Sequence, residues 1–278
     1  MSITVVTDST ACLTPAMVAD SGVIVVPIHV LVDGRTHLDG VDINSGEVAT
    51  ALVRGASVST AKPTPQQFLD AYTAAADAGA KEILSVHVSS ALSGTYDSAR
   101  LAARDSPVPV TVLDTHSIAM GLGFAAMSAA SAAPRGVTVA AEAARRSAEN
   151  SQVLFYVDTL EFLRRGGRIG TASAWLGGAL RVKPLLHVVD GQVAPLEKAR
   201  TANRALARLT DLAVEAAGDR PVRVAVQHLH AADRAQSVAS RLQDTLHCEV
   251  AVGEVTAVMG VHVGPGVVAI TIAPADSP

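Results

Sequence analysis

The chain has 278 residues, 49% of them hydrophobic, 17% charged and only 3% aromatic, with a formal net charge of −4. That apolar share excludes intrinsic disorder, the acidic balance removes any overall pull toward nucleic acid, and two cysteines, Cys12 and Cys248, are too few for a disulfide framework. At this length two domains are expected, each with a core of its own.

The opening residues Met1-Ser2-Ile3-Thr4-Val5-Val6-Thr7-Asp8 lack the basic and apolar regions of a secretory leader and read directly as a strand, so a cytoplasmic location is expected. Runs rich in β-branched residues recur at 3–6, 23–26, 83–88 and 110–113, with helical spacing between them. Nearly continuous apolar strands alternating with helices predict a parallel sheet covered on both faces, a Rossmann-like α/β/α layer over residues 1–150. Such sheets take ligands beyond the C-terminal ends of their strands. Three strands here run into polar ends: Thr7-Asp8-Ser9-Thr10, Ser89-Ser90 and Asp114-Thr115-His116-Ser117.

The segment Val58-Ser59-Thr60-Ala61-Lys62-Pro63-Thr64-Pro65 leads into a helix from about Gln66, with Pro65 at a helix-opening position. Its two prolines can hold the Thr60 hydroxyl in place, an ordinary loop and cap being the competing reading. Ser89-Ser90-Ala91-Leu92-Ser93-Gly94-Thr95-Tyr96 is the most informative stretch, because it joins a strand to a helix through hydroxyls and a glycine. Free amides at the helix start, with the hydroxyls of Ser93 and Thr95, converge on one point, and Gly94 permits close approach. An anion is expected there; simple N-capping is the alternative. Residues 115–134 carry no charge and are nearly long enough to span a bilayer, but their Ala, Gly and Ser content predicts a helix buried against a sheet.

Strands are predicted at 153–157, 185–189, 222–226, 248–252 and 267–272, with helices at 202–217 and 233–246. Val189-Asp190-Gly191-Gln192 has hairpin chemistry, so residues 151–278 are read as a second α/β domain with a mixed or antiparallel sheet. Val261-His262-Val263 alternates like a strand running into Gly264-Pro265-Gly266, and a histidine there is structural unless an anion site lies nearby. His228 and His230 would share a strand face, yet no third ligand is indicated and no metal site is expected. Arg164, Arg165, Arg168, Arg181, Lys183, Lys198, Arg200 and Arg204 make this region locally positive, suiting either solvent or a phosphate-bearing partner. Nucleotide and hydrolase motifs are missing: there is no Gly-Lys pair for a phosphate loop, no Gly-x-Ser-x-Gly elbow and no His-Glu-x-x-His. Gly121-Leu122-Gly123-Phe124-Ala125-Ala126 fits a loose dinucleotide string but falls inside the uncharged helix. An anion site without a nucleotide motif favours a binder over a kinase.

The 89–96 stretch is similar to the Ser-Ser-x-Leu-Ser-Gly-Thr signature of the bacterial DegV family. The resemblance runs the whole chain, through Val6-Thr7-Asp8-Ser9-Thr10, Asp39-Gly40-Val41-Asp42, the loop at 60–65, Arg165-Gly166-Gly167-Arg168-Ile169, Lys183-Pro184, Arg200-Thr201 and His262-Val263-Gly264-Pro265-Gly266. It implies a two-domain α/β protein that holds a long-chain fatty acid between its domains and presents the carboxylate to a separate ATP-dependent kinase. The acyl phosphate made there feeds phospholipid synthesis. The chain itself would have no catalytic residue, no cofactor and no turnover of its own.

By that resemblance Ser93 and Thr60 bind the carboxylate, with Gly94, Thr95 and His262 beside them, while Arg168 and Arg200 face the kinase or the phosphoryl group. The Ala- and Gly-rich stretch 172–180, with Trp175 and Leu176, and the apolar Leu160, Phe162 and Leu163 are read from their composition as lining for the acyl tail, plain core being the alternative for each. One departure stands out: the family commonly reads Thr-Ser-Gln-Pro where this chain has Thr60-Ala61-Lys62-Pro63, so the charge near the headgroup differs. Two rival readings stay open, a serine hydrolase with Ser93 as nucleophile and His262 as base, and a binder of another anionic metabolite.

Overall fold

The computed structural model describes residues 2–175 and 182–275. β1 (Ile3–Asp8), α1 (Pro15–Ser21) and β2 (Ile24–Val26) open the chain. A hairpin of β3 (His29–Val32) and β4 (Arg35–Leu38) follows, turning at Asp33-Gly34, both left-handed with φ of 48° and 81°. After α2 (Ser45–Val53) comes β5 (Val58–Ala61), which pairs antiparallel with β3. α3 (Pro65–Asp77) starts on a reciprocal cap between Thr64 and Gln67, with Pro65 in its first turn. β6 (Glu82–His87), α4 (Thr95–Ala102) and β7 (Val110–Asp114) complete a four-stranded sheet of order β2-β1-β6-β7, parallel throughout.

Adjacent strand residues point to opposite faces, and both faces of this sheet are covered. Val6 and Ile83 pack on Phe68 and Tyr72 of α3 and on Ala99 of α4. Val5, Leu84 and Val86 pack on α5 (Met120–Ala132) and α6 (Val137–Glu149). α5 realises the buried helix expected over 115–134, and its lack of charge has a physical cause. One side meets the parallel sheet while Met120 and Phe124 meet Ala225 and Ala273 of the second sheet, so most of the helix is enclosed and only Ser131, in its last turn, is exposed. A Cβ at Gly123 would stand 2.5 Å from the Ala11 carbonyl oxygen, so that glycine serves helix packing. No described helix is long and apolar enough to cross a membrane.

The remaining elements are β8 (Gln152–Tyr156), α7 (Glu161–Arg165), β9 (Lys183–Val189), β10 (Gln192–Ala199), α8 (Ala202–Ala217), β11 (Val222–His228), α9 (Ala232–Leu246), β12 (Val250–Glu254), α10 (Ala257–Val263) and β13 (Val268–Pro274). The strands form a mixed sheet of order β10-β9-β8-β13-β11-β12, antiparallel except for the β11/β12 pair. On β8, Leu154 and Tyr156 face α8 and α9, whereas Val153 and Phe155 face inward with Leu186 and Ala269. That inner face meets Ile28 and Val30 from the first half of the chain and Val258 of α10. The fold is therefore α/β in two layered halves, as expected.

Three features differ from the sequence expectation. The small sheet β4-β3-β5 was not anticipated, because its strands are short and carry His29, Arg35, His37 and Ser59 instead of a continuous apolar run. β10 was implied only by the hairpin turn that opens it and its extent was not read, because it is an edge strand that tolerates Pro195 and a register shift between Pro195 and Glu197. Val261-His262-Val263 is helical in α10, not a strand. Burial of Ala257, Val258, Met259, Gly260 and Val261 overrides the period-two appearance, and the Asp39 carboxylate receives the Ala257 amide at 2.9 Å where the helix starts.

Candidate functional site

A cavity of about 190 Å³ lies between the inner face of the mixed sheet and the C-terminal ends of the parallel strands. Val153, Phe155, Val188, Val193, Val267 and Ala269 wall it from one side, and Ile28, Val88, Leu92, Ile118 and Ala119 from the other. Most of the lining is thus aliphatic. Its polar members are Thr10, Thr60, Lys62, Ser93, Arg168 and His262, and no acidic side chain is among them.

Five of those six are gathered into a polar ring at one end, linked partly by direct contacts and partly through neighbours in the chain. The Thr60 hydroxyl and His262 Nε2 are 2.9 Å apart. His262 lies next to Arg168, whose positive charge acts on its imidazole. The Arg168 guanidinium donates from Nε to the Leu92 carbonyl at 3.0 Å, and also to the Gly166 carbonyl. Leu92 precedes Ser93 and Gly94, and the end of the Lys62 side chain lies over Gly94. Lys62 itself is two residues beyond Thr60. Lys62 and Arg168 are exposed, Thr60, Ser93 and His262 half-buried, and the aliphatic walls mostly buried, so the ring marks the solvent end of an apolar chamber.

Each side chain is set by its element. Ser93 stands at the amino end of α4, where its Oγ accepts the Thr95 amide at 3.3 Å and pairs with the Thr95 hydroxyl at 2.8 Å. Thr95 is fully buried and absent from the cavity wall, so it orients Ser93 without facing the chamber. The helix itself has no side-chain cap, its N-cap being Gly94, so Ser93 makes a local turn bond instead of the capping bond that was the bland alternative, and it also lines the cavity. Gly94 has φ −74°, open to any residue; what it provides is space, because a Cβ there would stand 2.9 Å from Lys62 Cδ. His262 sits in the last turn of α10 against Gly166, where a side chain would collide with the imidazole Nδ1. Burial, reinforced by Arg168, pushes the His262 pKa down to about 4. The ring is neutral at neutral pH, and Nδ1 has no hydrogen-bond partner. An orphaned acceptor costs less than an orphaned N–H, so we assign the proton to Nε2, donating to Thr60 Oγ. The Thr60 hydroxyl proton is then free to donate into the cavity.

Thr10 is held from beneath. Asp8 Oδ1 accepts the Thr10 amide at 3.1 Å and its hydroxyl at 2.5 Å, while Oδ2 accepts the Val88 amide at 3.2 Å and pairs with His87 Nδ1 at 2.9 Å. His87 continues to Ser85 and Tyr72, every member being buried. This chain ties the ends of β1 and β6 together directly under the chamber. The polar strand end Thr7-Asp8-Ser9-Thr10 was its sequence signal; the histidine partner, 79 residues away, had none.

The other assigned residues lie elsewhere. Arg200 is exposed just past β10 and is not part of the cavity wall. Leu163 lines the cavity, whereas Leu160 and Trp175 are partly buried against the same core and Phe162 packs under Gly264. Leu176 and Arg181 lie outside the described residues. His228 ends β11 while His230 follows it at φ 51°, so the two do not share a strand face. Among the described residues no group of three His, Cys, Asp or Glu side chains could hold a metal ion. Lys62 is the site residue whose place sequence reasoning left undefined.

Residues 2–275 match the sequence profile of the DegV family. A DegV domain-containing protein of Streptomyces coelicolor is 46% identical over 274 residues, covering 97% of this chain and 98% of the relative. Among solved structures, a fatty-acid-binding DegV family protein from Thermus thermophilus superposes with TM-score 0.93 at 33% identity, covering 99% of this chain and all of the other. DegV from Bacillus subtilis, a fatty acid binding protein, gives TM-score 0.91 at 28% identity, with 99% and 100% covered. With the profile spanning nearly every residue and both halves of the fold superposing as one, the chain belongs to the DegV family.

Proposed function

We propose that this protein binds a long-chain fatty acid, with the carboxylate in the polar ring and the tail in the apolar chamber, and that it presents the carboxylate to a separate ATP-dependent kinase. The observation that carries the reading is the ring itself: Ser93, Thr60, His262, Arg168 and Lys62 surround the solvent end of a cavity whose other walls are aliphatic. Hydroxyl donors, a helix amino end and two cations suit a carboxylate, and hydrogen bonds to a charged acceptor are stronger than neutral ones. The tail supplies most of the affinity, since each buried methylene contributes about 0.8 kcal/mol and some fifteen would contribute about 12 kcal/mol before ordering costs. Presentation to a kinase is supported by the exposed position of Lys62 and Arg168 at the headgroup end and by the absence of any nucleotide motif in the chain.

The hydrolase alternative is disfavoured by geometry: His262 Nε2 engages Thr60, and the Ser93 hydroxyl engages Thr95, so no serine–histidine pair is assembled. A sugar phosphate is disfavoured by the aliphatic walls. Protein purified directly from its host and extracted for mass spectrometry should release a single-chain fatty acid in near-stoichiometric amount. Finding no acyl chain, together with no fatty-acid affinity in the delipidated protein, would end the proposal. Loaded protein incubated with host extract and ATP should yield an acyl phosphate trapped by hydroxylamine. Ser93→Ala is expected to lower that yield at least several-fold with an unchanged unfolding midpoint, and an undiminished yield would remove Ser93 from its role.

A further inference from the structure

Lys62 follows β5 directly and precedes the buried Pro63, a setting that restricts its backbone to extended conformations. From there its side chain runs across the first turn of α4. A Cβ at Gly94 would stand 2.9 Å from Lys62 Cδ, 3.5 Å from Cε and 3.1 Å from Nζ, so the last three atoms of the side chain occupy the space that any larger residue at 94 would take. The ammonium is thereby held over the amino end of a helix, where the aligned peptide dipoles already make the potential positive. Cations belong at the opposite end of a helix, so this placement is unfavourable while no anion is near. The Arg168 guanidinium adds a second positive charge at the same mouth. Among the described residues no ion pair joins Lys62 or Arg168 to a carboxylate, the Arg168 guanidinium meeting only backbone carbonyls, and no acidic side chain lines the cavity. Three positive elements converge, and no carboxylate among the described residues neutralises them.

We infer that Lys62 is a headgroup-selecting residue: its ammonium pairs with the anionic end of the ligand across Gly94 and discriminates anionic from neutral single-chain amphiphiles. The inference rests on the fatty-acid reading above. An anion at the ring is attracted to each of the three positive elements and offsets the repulsion among them. A long-chain alcohol or ester of equal length buries the same tail but leaves the repulsions in place. Because Lys62 is exposed, its contribution is screened by salt, unlike that of the buried walls.

The test compares dodecanoate with dodecan-1-ol, titrated into delipidated wild-type protein, Lys62→Met and Lys62→Arg at about 20 mM and about 500 mM salt. Methionine keeps an unbranched stem over Gly94 while removing the charge. In Lys62→Met the dissociation constant for dodecanoate should rise about three- to tenfold at low salt, the wild-type salt dependence should flatten, and dodecan-1-ol affinity should stay within about twofold. Lys62→Arg should keep the preference for the acid. If Lys62→Met binds both ligands like wild type, or weakens both equally, the charge has no selecting role and the inference falls while the fatty-acid reading stands. Wild type binding neither ligand would sink both.

Discussion

The imidazole of His262 is bounded by Thr60, Gly166 and Arg168, and these neighbours set its proton chemistry. Burial and the nearby guanidinium hold its pKa at about 4 in the folded protein against 6.5 in its absence. Between those values the unfolded chain binds the extra proton and the folded one does not. The stability linked to this group is thus fully present above pH 6.5 and is lost as pH falls toward about 4. Its size is on the order of 3 kcal/mol. Urea unfolding of wild type and His262→Gln across this range should therefore show the difference in stability between them changing by that order, wild type losing ground on acidification. Parallel pH profiles would show that the imidazole is solvated. Ser93 was readable in the sequence as a hydroxyl at a helix start, and Thr60 as a hydroxyl in a double-proline loop, although the structure sets Thr60 within β5. Lys62 was readable only as a departure in charge, because what makes it part of the site is the space over Gly94, more than thirty residues away.

Elements with strictly local causes were the legible ones. The hairpin between β9 and β10 turns on Asp190-Gly191, with φ of 49° and 73°, as the dipeptide predicts. Its tip also docks on the first half of the molecule, since a Cβ at Gly191 would collide with Ser89 Oγ. Gly191→Ala must therefore meet both a left-handed backbone, costing about 1–2 kcal/mol, and a clash that displaces the Ser89 turn. A loss of about 2–4 kcal/mol in urea unfolding is expected, and a change within experimental error would mean that the hairpin tip does not seat on Ser89. α10 was illegible for the opposite reason. Alternating valines resemble a strand, and only enclosure by neighbours, with Asp39 receiving its first amide, makes that segment a helix and places His262 at its end.

No single stretch of chain contains the chamber. Its lining runs from Thr10 to Ala269 and draws on both sheets, so its existence depends on how the two halves meet. Ala269, opposite Phe155 in the β13/β8 ladder, is a small residue on the cavity wall. Ala269→Phe should fill the chamber with apolar contacts, abolishing fatty-acid binding while leaving the thermal midpoint unchanged or raised. Retained binding would place the tail elsewhere. A collapsed midpoint would show instead that the chamber is too narrow for the ring.

Periodicity, turn dipeptides and helix starts act within a few residues, and for that reason the layered α/β architecture, the buried α5 and the Ser93-Gly94-Thr95 turn could all be read along the chain. The pairing of Asp8 with His87, the meeting of Thr60 with His262 across 202 residues, and the apolar volume between the sheets are sums over distant contacts. Packing settles those, because an unfilled space and a converging set of charges belong to no segment of sequence until the halves close on each other.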